Sequence, residues 1–326
     1  MKLFNLFAAA LAPSIAFASP VQRPYHSQPD WAAHHVSTKL GAVASESSIC
    51  SNIGISLLKA GGNAADALVG TQFCIGVVGM YHSGIGGGGF MLVRAPNGSY
   101  EHIDFRETAP AAAFQDMYNN DTNLSIYGGL ASGVPGELRG LQHLHENYGK
   151  LSWRDVMTPA INVARYGWTV NADLVRYLAS AGASSFMPSD PSWAIDFAPN
   201  GTLVELNDTI TRKRYADTLE RISIEGPNAF YTGAIANATI NALRKQNGTM
   251  TMQDLANYTV ALREPVNINY KGYKLTAPGA PSGGEVTLAT LNIVSGYESF
   301  GDPAQINLTT HRLDEAMRFA YGMVSV

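Results

Sequence analysis

Residues 83–110 decide how this chain is read: S-G-I-G-G-G-G-F-M-L-V-R-A-P-N-G-S-Y-E-H-I-D-F-R-E-T-A-P. Four consecutive glycines, Gly86, Gly87, Gly88 and Gly89, feed an apolar run over residues 90–93. Pro96, Asn97 and Gly98 make a turn signal, and residues 100–105 read as a returning strand. The stretch therefore predicts a hairpin entered through a glycine loop, with Arg106 at its exit. A phosphate loop would need a strand, then G-x-G-x-x-G, then a helix whose N-terminus faces the phosphates. Here a strand follows the glycines and no G-K-[ST] is present, so nucleotide binding is set aside. What remains is a tight turn where backbones approach closely, which only glycine allows.

These residues also carry a family resemblance. S-G-I-G-G-G-G-F-M-L followed by D-F-R-E-T-A-P resembles the γ-glutamyltransferases, also called glutathione hydrolases. Further motifs stand in family order: Asn63-Ala64-Ala65-Asp66-Ala67, Gly133-Val134-Pro135-Gly136-Glu137 and Pro281-Ser282-Gly283-Gly284. The resemblance spans about residues 41–321. It implies an α/β fold of the N-terminal-nucleophile hydrolase type, an αββα sandwich, of which residues 41–326 would form the large-subunit part. In such enzymes a precursor cuts itself in two, and the new N-terminal threonine of the small subunit attacks a γ-glutamyl amide. The hydroxyl is a weak nucleophile, and the freed α-amine serves as its base. The γ-glutamyl group then passes to water or to an acceptor amine. Glutathione, its S-conjugates or other γ-glutamyl compounds are the substrates implied.

Arg106 is the residue that the resemblance carries over, with the arginine of F-R-E gripping the α-carboxylate of the γ-glutamyl group. A planar guanidinium bonds a carboxylate bidentately, contributing roughly 1.5–3 kcal/mol per charged hydrogen bond. The alternative is a structural ion pair with Glu107 or Asp104. No catalytic residue is expected in this chain. Thr309-Thr310-His311 imitates the family's nucleophile triplet, but Arg312-Leu313-Asp314-Glu315-Ala316 follows at helical spacing. Thr309 or Thr310 is expected to be a helix N-cap instead. The polypeptide alone is thus expected to be inactive and to stop before the small subunit, which the same precursor or a separate chain would supply. Two alternatives stand beside this: a non-catalytic or truncated relative, and a serine hydrolase built on Ser83 or Ser282. Neither serine matches G-x-S-x-G, since Tyr81 and Ala280 stand two residues before them.

The 326 residues are 46% hydrophobic with a net charge of −4, enough for a sizeable core and unlike a nucleic-acid binder. Residues 1–18 read as a secretory signal, with Lys2 at its start and Ala16-Phe17-Ala18 as a small-x-small cleavage site. Pro13 and an apolar run below the ~20 residues of a span argue against a stable membrane anchor. Residues 19–40, with His34 and His35, read as a flexible, solvated leader. Nine N-x-[ST] sequons stand at Asn97, Asn120, Asn123, Asn200, Asn207, Asn237, Asn247, Asn257 and Asn307. Chance gives about three, from 21 Asn times a Ser/Thr fraction of 44/326. The excess predicts a glycoprotein of the secretory route, extracellular or vacuolar. No His/Cys/Asp cluster has ligand spacing, so neither metal nor cofactor is expected.

Residues 46–60 and 64–78 have helical apolar spacing, broken by Gly61-Gly62, with Asn63 placed to cap the second helix. The only two cysteines, Cys50 and Cys74, each lie 11 residues from that turn, so ~16 Å along antiparallel helices. A disulfide is predicted, worth roughly 3 kcal/mol in a secreted protein; two buried thiols are the alternative. Further helices are expected at 137–148, 153–166, 215–221, 234–246, 286–295 and 310–321. Strands are expected at 258–262, 266–270 and 274–276, with sheet surface left exposed.

Overall fold

A computed structural model describes residues 41–324. Residues 1–40, where the signal and leader are expected, and residues 325–326 lie outside the described residues. The expected helical hairpin opens the fold, as α1 (Ser48–Lys59) and α2 (Ala64–Val78). Asn63 starts α2 through a capping box: its side chain accepts from the N–H groups of Ala65 and Asp66, while Asp66 accepts from the N–H of Asn63 at 2.8 Å. Asp66 is fully buried, and its carboxylate also takes the N–H groups of Lys150 at 3.0 Å and Leu151 at 3.1 Å. A buried carboxylate stays in place only when its oxygens are satisfied in this way. Cys50 and Cys74 join α1 to α2 as a disulfide, with Cα atoms 5.3 Å apart.

The glycine-rich stretch builds β1 (Phe90–Arg94) and β2 (Tyr100–Asp104), paired antiparallel from Phe90 opposite Asp104 to Arg94 opposite Tyr100. Gly98, at φ 85°, makes the turn that a side chain would strain. Next come α3 (Glu137–Tyr148) and α4 (Trp153–Tyr166). Lys150 and Leu151, which Asp66 holds, lie in the turn between them. α2 is buried nearly all round, because α1, α3 and α4 pack against it. Phe73 of α2 meets Trp153 of α4 edge-on at 5.5 Å.

The next segment runs β3 (Trp168–Thr169), α5 (Ala172–Ser180), α6 (Pro191–Phe197), β4 (Thr209–Ile210) and α7 (Lys213–Glu225). β3 pairs with β4, and α7 packs on α4 through Leu219 and Ile222, both fully buried. Three short helices follow: α8 (Asn228–Tyr231), α9 (Gly233–Lys245) and α10 (Met252–Asn257).

The strand expected at 258–262 is instead β5 (Ala261–Arg263), the third strand of the β1-β2-β5 sheet. The sequence reading missed α10, started by a Thr251–Asp254 capping box. Tyr258 closes α10 and stacks its ring on Tyr231, so the chain becomes strand only afterwards.

A ribbon of β6 (Val266–Tyr270) and β7 (Tyr273–Ala277) comes next, with no buried residue in either strand. It packs on α11 (Gly284–Ser295), which meets α12 (Ile306–Val324). The N-cap assignment for Thr309 and Thr310 is corrected here. Both lie inside α12, where Thr310 Oγ1 donates to Ile306 O at 2.9 Å. Asp302 caps a 3-10 turn, Pro303–Gln305, that runs directly into the helix. A threonine hydroxyl that donates back to the carbonyl four residues earlier marks a helix interior, whereas a cap hydroxyl accepts from N–H groups ahead of it.

All nine sequon asparagines are exposed. Among the described residues no helix is long and apolar enough to cross a membrane.

The Cys50–Cys74 link closes a loop of sequence separation 24, so reduction should cost roughly 3 kcal/mol. Urea unfolding with and without reductant measures this, and thiol titration of the unreduced, denatured protein should find none. Two titratable thiols would contradict the disulfide.

Candidate functional site

The glycine loop forms one wall of a cleft of about 390 Å³. Gly84–Gly88, Tyr81, His82, Arg106, Glu107, Arg212 and Tyr215 lie around it. The loop is held from below by the start of α3. Gly87 O accepts the N–H groups of Gly136 at 2.8 Å and Glu137 at 2.9 Å, two donors that a helix start leaves free. The Glu137 side chain completes the hold: its Oε2 accepts from Ser83 Oγ at 2.8 Å, Gly84 N at 3.1 Å and Gln72 Nε2 at 3.1 Å. Glu137 is 1% exposed, and its Oε1 has no partner among the described residues. Burial raises its pKa above the ordinary value, while the hydrogen bonds from Ser83, Gln72 and Gly84 pull the other way.

The hairpin exit is equally constrained. A side chain on Gly88 or on Gly136 would collide with the carbonyl oxygen of Phe105. Two chain segments therefore close on Phe105 only because both are glycine there. Arg106 follows at once, and its backbone is clamped on both sides. Its N–H donates to Asp104 Oδ1 at 3.0 Å, and its carbonyl accepts Tyr258 OH at 2.7 Å. Asp104 is itself buried and takes Arg263 Nε at 2.6 Å. Asp104 is thus occupied as scaffold and is not the ion-pair partner of the Arg106 guanidinium. That guanidinium is 62% exposed and meets Glu107 Oε2 at 3.1 Å.

On the far side of the loop, Arg212 lies mostly buried, with its guanidinium 4.2 Å over the Tyr215 ring. Its Nη1 donates to Gly76 O at 3.1 Å. Burial pushes the Tyr215 hydroxyl up to about 12, so it stays a neutral phenol. The other sequence candidates fall elsewhere. Ser83 Oγ is spent on Glu137, and Ser282 N bonds Gly279 O within its turn. His143 meets Glu101 at 2.9 Å, and His145 meets Leu151 O at 2.9 Å. Glu137, Arg212, Tyr215, Tyr258 and Arg263 were not singled out from sequence as site residues. Only Glu137 carried a signal, as the lone acid closing G-V-P-G-E.

Among solved structures, Helicobacter pylori gamma-glutamyltranspeptidase is similar at a TM-score of 0.82 and 33% identity, covering 89% of this chain and 84% of that one. Together with the elements above, this places the fold in the α/β class of N-terminal-nucleophile hydrolases. A family model described as Gamma-glutamyltranspeptidase matches residues 50–325. The Arthroderma benhamiae "Glutathione hydrolase proenzyme" is 55% identical over 87% of this chain and 51% of its own length. The Aspergillus flavus "Glutathione hydrolase" is 52% identical over 87% of this chain and 48% of its own. The chain belongs to the γ-glutamyltranspeptidase family. It spans about half the length of the curated relatives it matches.

The raised Glu137 carboxyl fixes the sign of a pH effect. A carboxyl whose folded pKa is raised holds its proton better when folded, so its contribution is lost as pH rises past the ordinary 4.5. Glu137→Gln keeps the shape and removes the titration. Urea unfolding between pH 4 and pH 7 should show the stability difference shifting in favour of the Gln variant as pH rises. A difference independent of pH would contradict this.

Proposed function

We propose that this chain forms the large-subunit part of a glutathione hydrolase, a γ-glutamyl acyltransferase acting on glutathione, its S-conjugates and related γ-glutamyl amides. The observation that carries the reading is Arg106, whose backbone is fixed by Asp104 and Tyr258 while its guanidinium lines the glycine-loop cleft. Its exposed contact with Glu107 is a pair of the kind worth about 0–1 kcal/mol, so a bidentate carboxylate displaces it readily. In this reading Arg106 holds the α-carboxylate and thereby sets where the γ-carbonyl lies.

The attacking hydroxyl is assigned to a threonine outside these residues. Thr309 and Thr310 lie within the turns of α12 and are unsuited to the role. The threonine oxygen adds to the γ-carbonyl carbon, the amine leaves with a proton, and water or an acceptor amine releases the γ-glutamyl group from the resulting ester. The chain by itself is accordingly inactive. The β6–β7 ribbon, in which no residue is fully buried, and exposed Leu262 and Tyr273 are surfaces suited to a small-subunit partner. The exposed sequons support a secreted or vacuolar glycoprotein.

The test uses the whole, natively expressed protein, with intact mass to define its chains and release of amine from a γ-glutamyl anilide as the assay. Arg106→Ala should raise KM about 10- to 100-fold, the equivalent of one charged hydrogen bond or more. An unchanged KM would refute the assignment of Arg106.

A further inference from the structure

Ile126 and Tyr127 stand side by side at the surface, 64% and 70% exposed. The backbone of one sequon residue fixes their place: Asn123 O accepts the N–H groups of Ile126 at 3.0 Å and Tyr127 at 2.8 Å. A second sequon is held against the same loop at the C-terminal end of α9. Gly129 N–H donates to Gln246 O at 2.8 Å, and a side chain on Gly129 would collide with the Gly248 backbone. Asn123 and Asn247 thus bracket the apolar pair, the first just before it in the chain and the second across the Gly129–Gln246 bond. Both asparagines are exposed, and neither side chain has a hydrogen-bond partner among the described residues. Three other sequon asparagines are engaged. Asn97 Oδ1 takes Ser99 N–H at 3.0 Å, Asn237 Nδ2 donates to Gly233 O at 2.8 Å, and Asn257 Oδ1 takes Gln253 Nε2 at 2.6 Å.

We propose that Asn123 and Asn247 both carry N-linked glycans whose first sugars cover Ile126 and Tyr127. This rests on the secretory part of the reading above and not on its γ-glutamyl chemistry. An exposed apolar patch marks a contact of some kind, and here the chain itself specifies the occupant. A glycan is bulky and solubilising, and one on each side of the pair would keep a docking protein away. The donor is a lipid-linked oligosaccharide diphosphate. A bond forms from the asparagine Nδ2 to the first sugar carbon, the carbon–phosphate oxygen bond breaks, and the lipid diphosphate leaves with the proton that the amide gives up. The C–H face of a sugar packs on a tyrosine ring or an isoleucine by the same dispersion contacts that aliphatic side chains make.

The whole, natively expressed protein is digested and its glycopeptides are weighed intact. Glycan mass is expected at both Asn123 and Asn247, and either one bare in most molecules overturns the inference. Glycans at other sequons with these two bare sink this inference alone; no glycan anywhere sinks the secretory reading with it. The covering role is read separately from attachment. Asn123→Gln together with Asn247→Gln should raise the fluorescence of a dye that binds apolar surface, and the rise should be lost when Ile126→Ser and Tyr127→Ser are added. Enzymatic removal of the glycans from the folded wild-type protein needs no variant to fold and should give the same rise. An unchanged dye signal after that removal overturns the covering role, as does a protein partner cross-linked at Tyr127 in the glycosylated molecule.

Discussion

The cleft depends on one hold: the first residue of α3 grips the glycine loop with both its backbone and its side chain. Glu137 N–H goes to Gly87 O, and Glu137 Oε2 gathers Ser83, Gly84 and Gln72. Burial penalises this carboxylate, as its raised pKa shows. Removing it would leave three donors short of an acceptor, at about 1–3 kcal/mol for each one left buried and unmet. A helix start also favours negative charge by about 0.3–1 kcal/mol. The donors and the helix end offset part of the desolvation, which remains the larger effect and keeps the pKa raised. Glycine is needed at Gly88 and Gly136 for a related reason. The loop must lie close enough to Phe105 for these bonds to form, which leaves no room for side chains.

The two arginines facing the cleft are prepared in opposite ways. Arg106 is fixed through its main chain, and its guanidinium is left half in solvent with a weak partner. Arg212 is fixed through its guanidinium, by Gly76 O and the Tyr215 ring. The first arrangement leaves the charge free to fold onto a ligand. The second presents a charge already oriented, at the cost of burying it. Asp104 shows why carboxylates near an arginine cannot be assigned by proximity in sequence. It stands two residues from Arg106 but bonds that residue's N–H, and its charge goes to Arg263, 159 residues away.

Local rules account for what was legible. The β1–β2 hairpin, the α1–α2 pair, the Asn63 cap and most later helices follow from turn residues and apolar spacing, which act within a few positions. Arg106 was legible as a motif residue, not through any periodicity. The residues that position it were hidden because they arrive from far along the chain: Tyr258 from 152 residues away and Arg263 from 159 to Asp104. Arg212 reaches Gly76 across 136 residues. Thr309 and Thr310 failed for a different reason. A threonine hydroxyl can accept at a helix start or donate within a helix, and only the Asp302 turn before them decides between the two.

The sheet surfaces bear on what completes such a fold. β1 and β5 are both edges of a three-stranded sheet, and β6–β7 is a ribbon of two strands without a buried residue. Two-stranded ribbons are marginal alone, and unpaired edges invite pairing. Leu262 on β5, Tyr273 on β7 and Phe319 on α12 are exposed apolar side chains as well. At about 25 cal/mol per Å² of apolar surface removed from water, covering even a few such side chains stabilises the assembly by several kcal/mol. The helical core around α2, in contrast, is covered by α1, α3 and α4 over most of its surface. The cleft wall is therefore built on the settled part of the fold, while the open sheet face has most to gain from a partner. In the proposed enzyme this division places substrate positioning on a core that needs no help and leaves the assembly surface to bring in the nucleophile.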